Sequence, residues 1–180
     1  MSNEPTTVAD LRSRAAALRM LVLDVDGVLT DGRLYYSDQG DEFKAFHIKD
    51  GLGLKLLQQA GVRVAIITGR QSNMVTRRAR ELGIEDVVQG REDKCAALLE
   101  LCDRSGIPID ASAYMGDDLP DLGAVSAAGL GMTVADACAE VRAAADWQSS
   151  FTGGAGAVRE ACEYILNARG QWHTITADFG

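Results

Sequence analysis

No stretch of this sequence stays apolar for the roughly 20 residues that a bilayer-spanning helix needs. The opening Met1-Ser2-Asn3-Glu4-Pro5 has neither the basic nor the apolar region of a secretory leader, so no targeting segment is expected. No internal repeat and no low-complexity linker interrupts the chain. Positive charge is in deficit, with 18 Lys and Arg against 26 Asp and Glu, for a net charge of −8. That balance argues against nucleic acid and anionic membranes as partners. An anionic substrate would have to be held by locally concentrated cations. The four cysteines form no C-x-x-C pair. Cys95 and Cys102 fall on one face of an expected helix and Cys162 in another apolar stripe. They read as buried, reduced, small apolar side chains, with the cytoplasm as the compartment.

What remains is a 180-residue chain that is 47% hydrophobic, enough for one compact domain over residues 1–180 with a sizeable core. Residues 7–19 read as an amphipathic helix capped by Thr7, with Val8, Leu11, Ala15 and Leu18 on one face. Residues 20–25 begin with four apolar residues, as a buried parallel strand does. Arg33-Leu34-Tyr35-Tyr36 and Glu42-Phe43-Lys44-Ala45-Phe46 flank a turn-rich segment and predict a β-hairpin over 33–46. Asp50 is expected to cap a helix over 51–60 that stops at Gly61. Strands are predicted at 62–67, 86–88, 111–115 and 129–134, with helices at 72–82, 92–104, 118–127 and 155–168. The segment after Gly170 is expected to be loosely ordered. Strands alternating with helices predict an α/β fold, a doubly wound, Rossmann-like parallel sheet with helices on both faces.

Chemistry concentrates at the exits of these strands, where open α/β sheets place their ligands. Asp24-Val25-Asp26-Gly27 follows the first strand, Thr68-Gly69-Arg70 the next, and Gly116-Asp117-Asp118-Leu119-Pro120-Asp121 a later one, with Lys94 between them. Asp24 can attack phosphorus to give an acyl phosphate that water then hydrolyses. Both partners are anionic, so a divalent cation must bridge them, and Mg²⁺ suits an all-oxygen site. Asp26 would protonate the leaving alkoxide and later activate water. Asp117 supplies a further metal carboxylate, and Asp118 could orient metal-bound water. Thr68 can hydrogen-bond a phosphoryl oxygen, Gly69 opens backbone N–H groups to it, and Lys94 adds a compact positive charge. Taken singly, each of these is commonplace: an acid pair can cap a helix and a lone lysine is usually solvated. Their order and shared position at strand ends make a magnesium-dependent phosphoryl-transfer enzyme the expectation.

These motifs resemble those of the haloacid dehalogenase superfamily of phosphatases over nearly the whole chain. The resemblance implies Asp24 as nucleophile and Asp26 as acid/base, its backbone carbonyl also ligating magnesium. It maps the hydroxyl motif to Thr68, the lysine to Lys94 and the acidic motif to Asp117 and Asp118. Three further segments are Asp24 to Gly32, Phe46-His47-Ile48-Lys49-Asp50-Gly51-Leu52-Gly53, and Gly153-Gly154-Ala155-Gly156-Ala157-Val158-Arg159-Glu160. They resemble a branch of that superfamily that dephosphorylates an eight-carbon sugar acid in lipopolysaccharide precursor synthesis. That resemblance implies a homotetramer built with the hairpin. It also implies substrate contacts from Asp26, from His47, Ile48, Lys49, Asp50 and Gly51, and from Lys55, Arg70 and Arg78. Lys49 and Lys55 stand where arginine is associated with other members, and the two differ in how they grip a carboxylate. Neither interval between motifs can hold a separate cap domain, so the fold is expected to be capless, with cover from another copy of the chain.

Three other readings stand beside this one. A signalling receiver domain uses a similar residue set but carries its acid pair on the first strand and its phosphoacceptor on a later one. A catalytically silent scaffold would have lost motif residues, and this chain keeps them. A nine-carbon sugar acid 9-phosphate would change only the substrate.

Overall fold

The computed structural model describes residues 7–179. Helix α1 (Val8–Ala17) begins at Thr7, whose Oγ1 accepts the Asp10 N–H at 3.2 Å, the cap expected from the sequence. Strand β1 (Met20–Leu23) is buried at every position. It is shorter than the expected 20–25, because the Val25 carbonyl accepts the N–H groups of Val28, Leu29 and Thr30 and so winds the chain into a turn. The hairpin is present but small: β2 (Tyr35–Tyr36) pairs antiparallel with β3 (Glu42–Phe43), away from the main sheet.

Helix α2 (Ile48–Gln59) starts three residues earlier than expected, and His47, not Asp50, is its N-cap. Asp50 lies inside the first turn, buried, and its Oδ1 accepts the Arg159 N–H at 2.8 Å. Its carboxylate thus joins the first turn of a later helix, Ala157–Ala168, instead of capping its own. Then come β4 (Arg63–Thr68), α3 (Asn73–Leu82), β5 (Asp86–Gln89), α4 (Lys94–Ser105) and β6 (Ser112–Gly116). Gly83 and Gly106 end α3 and α4 in the left-handed conformation, which glycine adopts without strain. The helix expected at 118–127 is divided. A 3₁₀ turn over Leu119–Asp121 precedes α5 (Leu122–Ala127), because Asp118 and Asp121 cap each other's backbone around Pro120.

After β7 (Leu130–Thr133) the chain adds α6 (Ala139–Ala144) and a two-residue β8 (Trp147–Gln148), neither of which the sequence pattern predicted. Helix α7 (Ala157–Ala168) follows. The segment after Gly170 forms α8 (Trp172–Ala177), where loose order was expected; Arg159 stacks over the Trp172 ring at 5.2 Å and pins it to α7.

The six strands of the main sheet run parallel in the order β5-β4-β1-β6-β7-β8. From β1 the chain winds outward through β4 and β5, then crosses back to β6. The switch therefore lies between β1 and β6, where such sheets open a crevice at their carboxyl ends. Helices α1, α2, α3 and α7 pack in one contiguous group, and α4, α5 and α6 in another. The four inner strands are almost wholly buried, as strands covered on both faces must be. At the opposite edge, Arg169 Nη1 donates to the carbonyls of Ala16 and Leu18 at 3.2 and 3.0 Å. Its Nη2 donates to that of Ala60 at 3.3 Å. These are the C-terminal ends of α1 and α2, whose carbonyls favour a cation. Among the described residues no helix is long and apolar enough to cross a membrane.

Candidate active site

Asp24 follows β1 and remains tied to the sheet, its N–H donating to the Met115 carbonyl at 3.0 Å. Asp117 follows β6, the neighbouring strand. Carboxylate oxygens of Asp24, Asp117 and Asp121 all lie within 4.8 Å of one another. Lys94, first residue of α4 and 5% exposed, faces this cluster with Nζ 2.9 Å from Asp24 Oδ1 and 2.7 Å from Asp121 Oδ1. Tyr114 lies fully buried on β6 and donates its hydroxyl to Asp121 Oδ1 at 2.8 Å. Asp121 Oδ2 accepts the N–H groups of Asp117 and Asp118 at 3.1 and 3.3 Å. Asp121 is therefore the buried hub that fixes both the lysine and the acidic loop.

Two buried acids, Asp24 and Asp121, and the half-buried Asp117 answered by one ammonium leave unfavourable charge. Burial, followed by the repulsion of Asp121, pushes Asp24 up to about 7. Burial and the charge of Asp24 push Asp117 up to about 8. Burial alone would lower Lys94, but Asp24 and Asp121 outweigh it and the ammonium is held more firmly than usual. Asp117 Oδ1 is buried with no hydrogen-bond partner, and Asp24 Oδ1 has the Lys94 ion pair but no aligned hydrogen bond. Hard carboxylate oxygens gathered within 4.8 Å, mutually repelling and one of them without a partner among the described residues, fit a small divalent cation such as Mg²⁺. Gly27 makes the approach feasible: a Cβ there would sit 2.0 Å from Asp117 Oδ2.

Asp26 faces outward from the same turn, its side chain 23% exposed. It is ion-paired with Lys44, one residue beyond β3, and Arg70 Nε lies 4.0 Å from its other oxygen. Thr68, at the end of β4, is 2% exposed, and its Oγ1 accepts the Arg70 N–H at 3.4 Å. A Cβ at Gly69 would stand 3.0 Å from Glu92 Oε1, so glycine fits this narrow turn. Arg70 reaches the hairpin through Glu42 at 3.1 Å. Asp118 is exposed and turns its carboxylate to the Leu119 N–H at 2.9 Å, serving as a cap.

The remaining expected contacts form a patch at the start of α2. His47 Nδ1 lies 3.9 Å from Asp50 Oδ1, Ile48 and Lys49 are exposed, and Lys55 points to solvent one turn further. Arg78, on α3, lies over the Phe46 ring at 5.9 Å and runs so close to Gly51 that a Cβ there would meet Nη2 at 2.3 Å. Asp50 ties this patch to α7 as described above. Sequence reasoning missed Asp121 as a hub and Lys44 as a partner of Asp26. The third acid of Gly116-Asp117-Asp118-Leu119-Pro120-Asp121 was visible, but it reads locally as a helix cap. Nothing local marks Lys44.

An acid pair leaving the central strand of a parallel sheet, a buried lysine beside it and a second acid on the adjacent strand define an aspartate-based phosphoryl-transfer hydrolase. The sequence profile of haloacid dehalogenase-like hydrolases matches residues 85–160, and the chain belongs to this family. Over 163 residues it is 41% identical to the 3-deoxy-D-manno-octulosonate 8-phosphate phosphatase KdsC of Escherichia coli (strain K12), spanning 91% of this chain and 87% of that one. The Haemophilus influenzae enzyme of the same name is 40% identical, spanning 89% of each. The crystal structure of 3-deoxy-D-manno-octulosonate 8-phosphate phosphatase from Moraxella catarrhalis, in complex with magnesium ion, phosphate ion and KDO, superposes with a TM-score of 0.95. It shares 46% identity and covers 97% of this chain and 100% of that one. The cobalt-bound Haemophilus influenzae phosphatase superposes with a TM-score of 0.86 at 41% identity, covering 88% of this chain and 93% of that one.

Proposed function

We propose that this chain is a Mg²⁺-dependent phosphatase that hydrolyses 3-deoxy-D-manno-octulosonate 8-phosphate to 3-deoxy-D-manno-octulosonate and phosphate, in lipopolysaccharide precursor synthesis. The observation that carries the reading is the gathering of Asp24, Asp117 and Asp121 carboxylate oxygens within 4.8 Å of one another at the carboxyl edge of β1 and β6, with Asp117 Oδ1 buried and without a hydrogen-bond partner among the described residues. The relatives named above supply the substrate.

In the first half-reaction a carboxylate oxygen of Asp24 forms a bond to phosphorus. The bond from phosphorus to the sugar's 8-oxygen breaks, its electron pair stays on that oxygen, and Asp26 delivers a proton there. In the second, the Asp26 carboxylate takes a proton from a water whose oxygen bonds to phosphorus, and the bond to Asp24 breaks to restore its carboxylate. Thr68 and the backbone at Gly69 donate to phosphoryl oxygens, and Lys94 opposes the charge that gathers on them. Mg²⁺, held by Asp24, Asp117 and the Asp26 carbonyl, supplies the charge that lets carboxylate and phosphate approach. His47, Ile48, Lys49, Asp50, Gly51, Lys55, Arg70 and Arg78 are assigned to the sugar acid.

The same reading gives one catalytic domain over 1–180, located in the cytoplasm, and a homotetramer whose sites lie at subunit boundaries. The free cysteines support the compartment. The hairpin supports the assembly: Tyr35, Tyr36 and Phe43 are 40%, 63% and 56% exposed on a ladder of two residue pairs, too small to bury them alone.

Steady-state phosphate release from eight-carbon and nine-carbon sugar acid phosphates, with Mg²⁺ and with a chelator, tests the function. The eight-carbon 8-phosphate should be preferred by kcat/KM and the chelator should stop turnover. Preference for the nine-carbon ester, or turnover without metal, would overturn the proposal.

A further inference from the structure

The hairpin carries a buried cation that the mechanism above does not use. Lys44 lies one residue beyond β3, and its side chain is only 1% exposed. A buried ammonium is costly unless paired. Its partners are Asp26, by a short ion pair through Oδ1, and Glu42, at 3.5 Å. Glu42 in turn holds Arg70 at 3.1 Å, and Arg70 stands 4.0 Å from the other oxygen of Asp26. Glu42 and Lys44 thus flank Phe43 on the hairpin and connect it, through charge, to the turn that carries Asp26.

This ring has a direction. Asp26 needs one oxygen free to hand a proton to the leaving group and take one back. Lys44 occupies Oδ1, so Oδ2 is the oxygen left available. An unpinned carboxylate on a solvent-facing turn would rotate between equivalent positions. Lys44 itself has almost no surface left to offer a sugar acid, which sets it apart from the exposed Lys49 and Lys55.

We infer that Lys44 is a positioning residue for the leaving-group step, fixing the rotamer of Asp26 from the hairpin. The inference rests on the phosphatase reading and on Asp26 as the acid. A misplacement of about 1 Å at a reacting group can cost on the order of 10²-fold in rate.

The test compares Lys44→Met, Lys44→Arg and Asp24→Asn on two esters, the sugar acid phosphate and p-nitrophenyl phosphate, whose leaving group needs no proton. For Lys44→Met, kcat on the sugar ester should fall by about 10²-fold with KM nearly unchanged, while the aryl ester loses less than about 5-fold. Lys44→Arg, which keeps the charge, should recover most of the loss, and it carries the test if Lys44→Met melts early. Equal losses on both esters, a rise in KM without loss of kcat, or full activity in a folded Lys44→Met protein would each overturn the inference. Turnover by Asp24→Asn would instead overturn the underlying phosphatase reading, so the two failures are separable.

Discussion

Lys94 Nζ lies 2.7 Å from Asp121 Oδ1, closer than its 2.9 Å to the Asp24 oxygen it faces. Asp121 is in turn held by Tyr114, so the ammonium is aimed by a chain of buried contacts that begins in the core. Lys94→Met would leave the three clustered acids, Asp24, Asp117 and Asp121, without the ammonium that answers them. Breaking such a buried set costs about 3 kcal/mol or more. Urea denaturation should show a loss that grows as pH rises, because Lys94 is what favours ionisation of Asp24 and Asp117, and a smaller one at lower pH, where protons relieve the repulsion. A loss that did not depend on pH would contradict the electrostatic account. Tyr114→Phe should cost less, about 1.5–3 kcal/mol for one hydrogen bond to a charged group.

Mg²⁺ should stabilise the protein in a pH-dependent way. The folded values of Asp24 and Asp117, about 7 and about 8, lie above the ordinary 3.8. Below 3.8 both groups are protonated in either state, and their full contribution to stability is present. As pH rises toward 8, the unfolded chain ionises freely while the folded one resists, so metal-free stability falls across that interval. A cation bound to the ionised cluster cancels the loss. The rise in Tm on adding Mg²⁺ should therefore grow from about pH 6 to pH 8 and flatten in Asp117→Asn. Scanning fluorimetry with and without metal reads this directly, and a shift of constant size would refute it.

Gly153 presses on the nucleophile turn: a Cβ there would come 1.7 Å from the Gly27 carbonyl oxygen. Gly27 in turn backs onto Asp117, so displacement would spread from the 150–156 loop into the metal cluster. Gly153→Ala should lower kcat by about 10²-fold and cost about 1–3 kcal/mol of stability. Kinetics beside thermal melting would check both, and a near wild-type kcat would break the link between loop and site.

The hairpin is expected to serve the assembly as well as Asp26. Phe43→Ser should lower molar mass in light scattering and activity together, because the hairpin's aromatic side chains stay largely exposed among the described residues. A fully active wild-type monomer would remove this model.

Much of this arrangement was legible in the sequence because it is local. Met20-Leu21-Val22-Leu23 announces a strand, the acids at its exit announce chemistry, and Gly83 and Gly106 mark helix ends. The losses share one cause: the partner is distant along the chain. Asp50 looks like a cap for its own helix and instead accepts from Arg159; Asp121 also looks like a helix cap and collects Lys94 and Tyr114. Strand β8 is too short to show a period, and it exists because Met132 and Thr133 offer it an edge while Trp147 stacks on Tyr164 at 5.4 Å.

Arg169 gives the molecule a stiff end. By gathering the last carbonyls of α1 and α2 at the edge farthest from Asp24, it clamps the floor of the sheet. Local fluctuation is then expected mainly at the opposite rim, where the chain leaves β1, β4 and β6 in turns and the hairpin is held by only two residue pairs. Amides of the floor should exchange with solvent only when the whole chain unfolds, while those of the rim exchange by small openings. The fold is therefore expected to open from one side, the rim that carries Asp24, Asp117 and the hairpin.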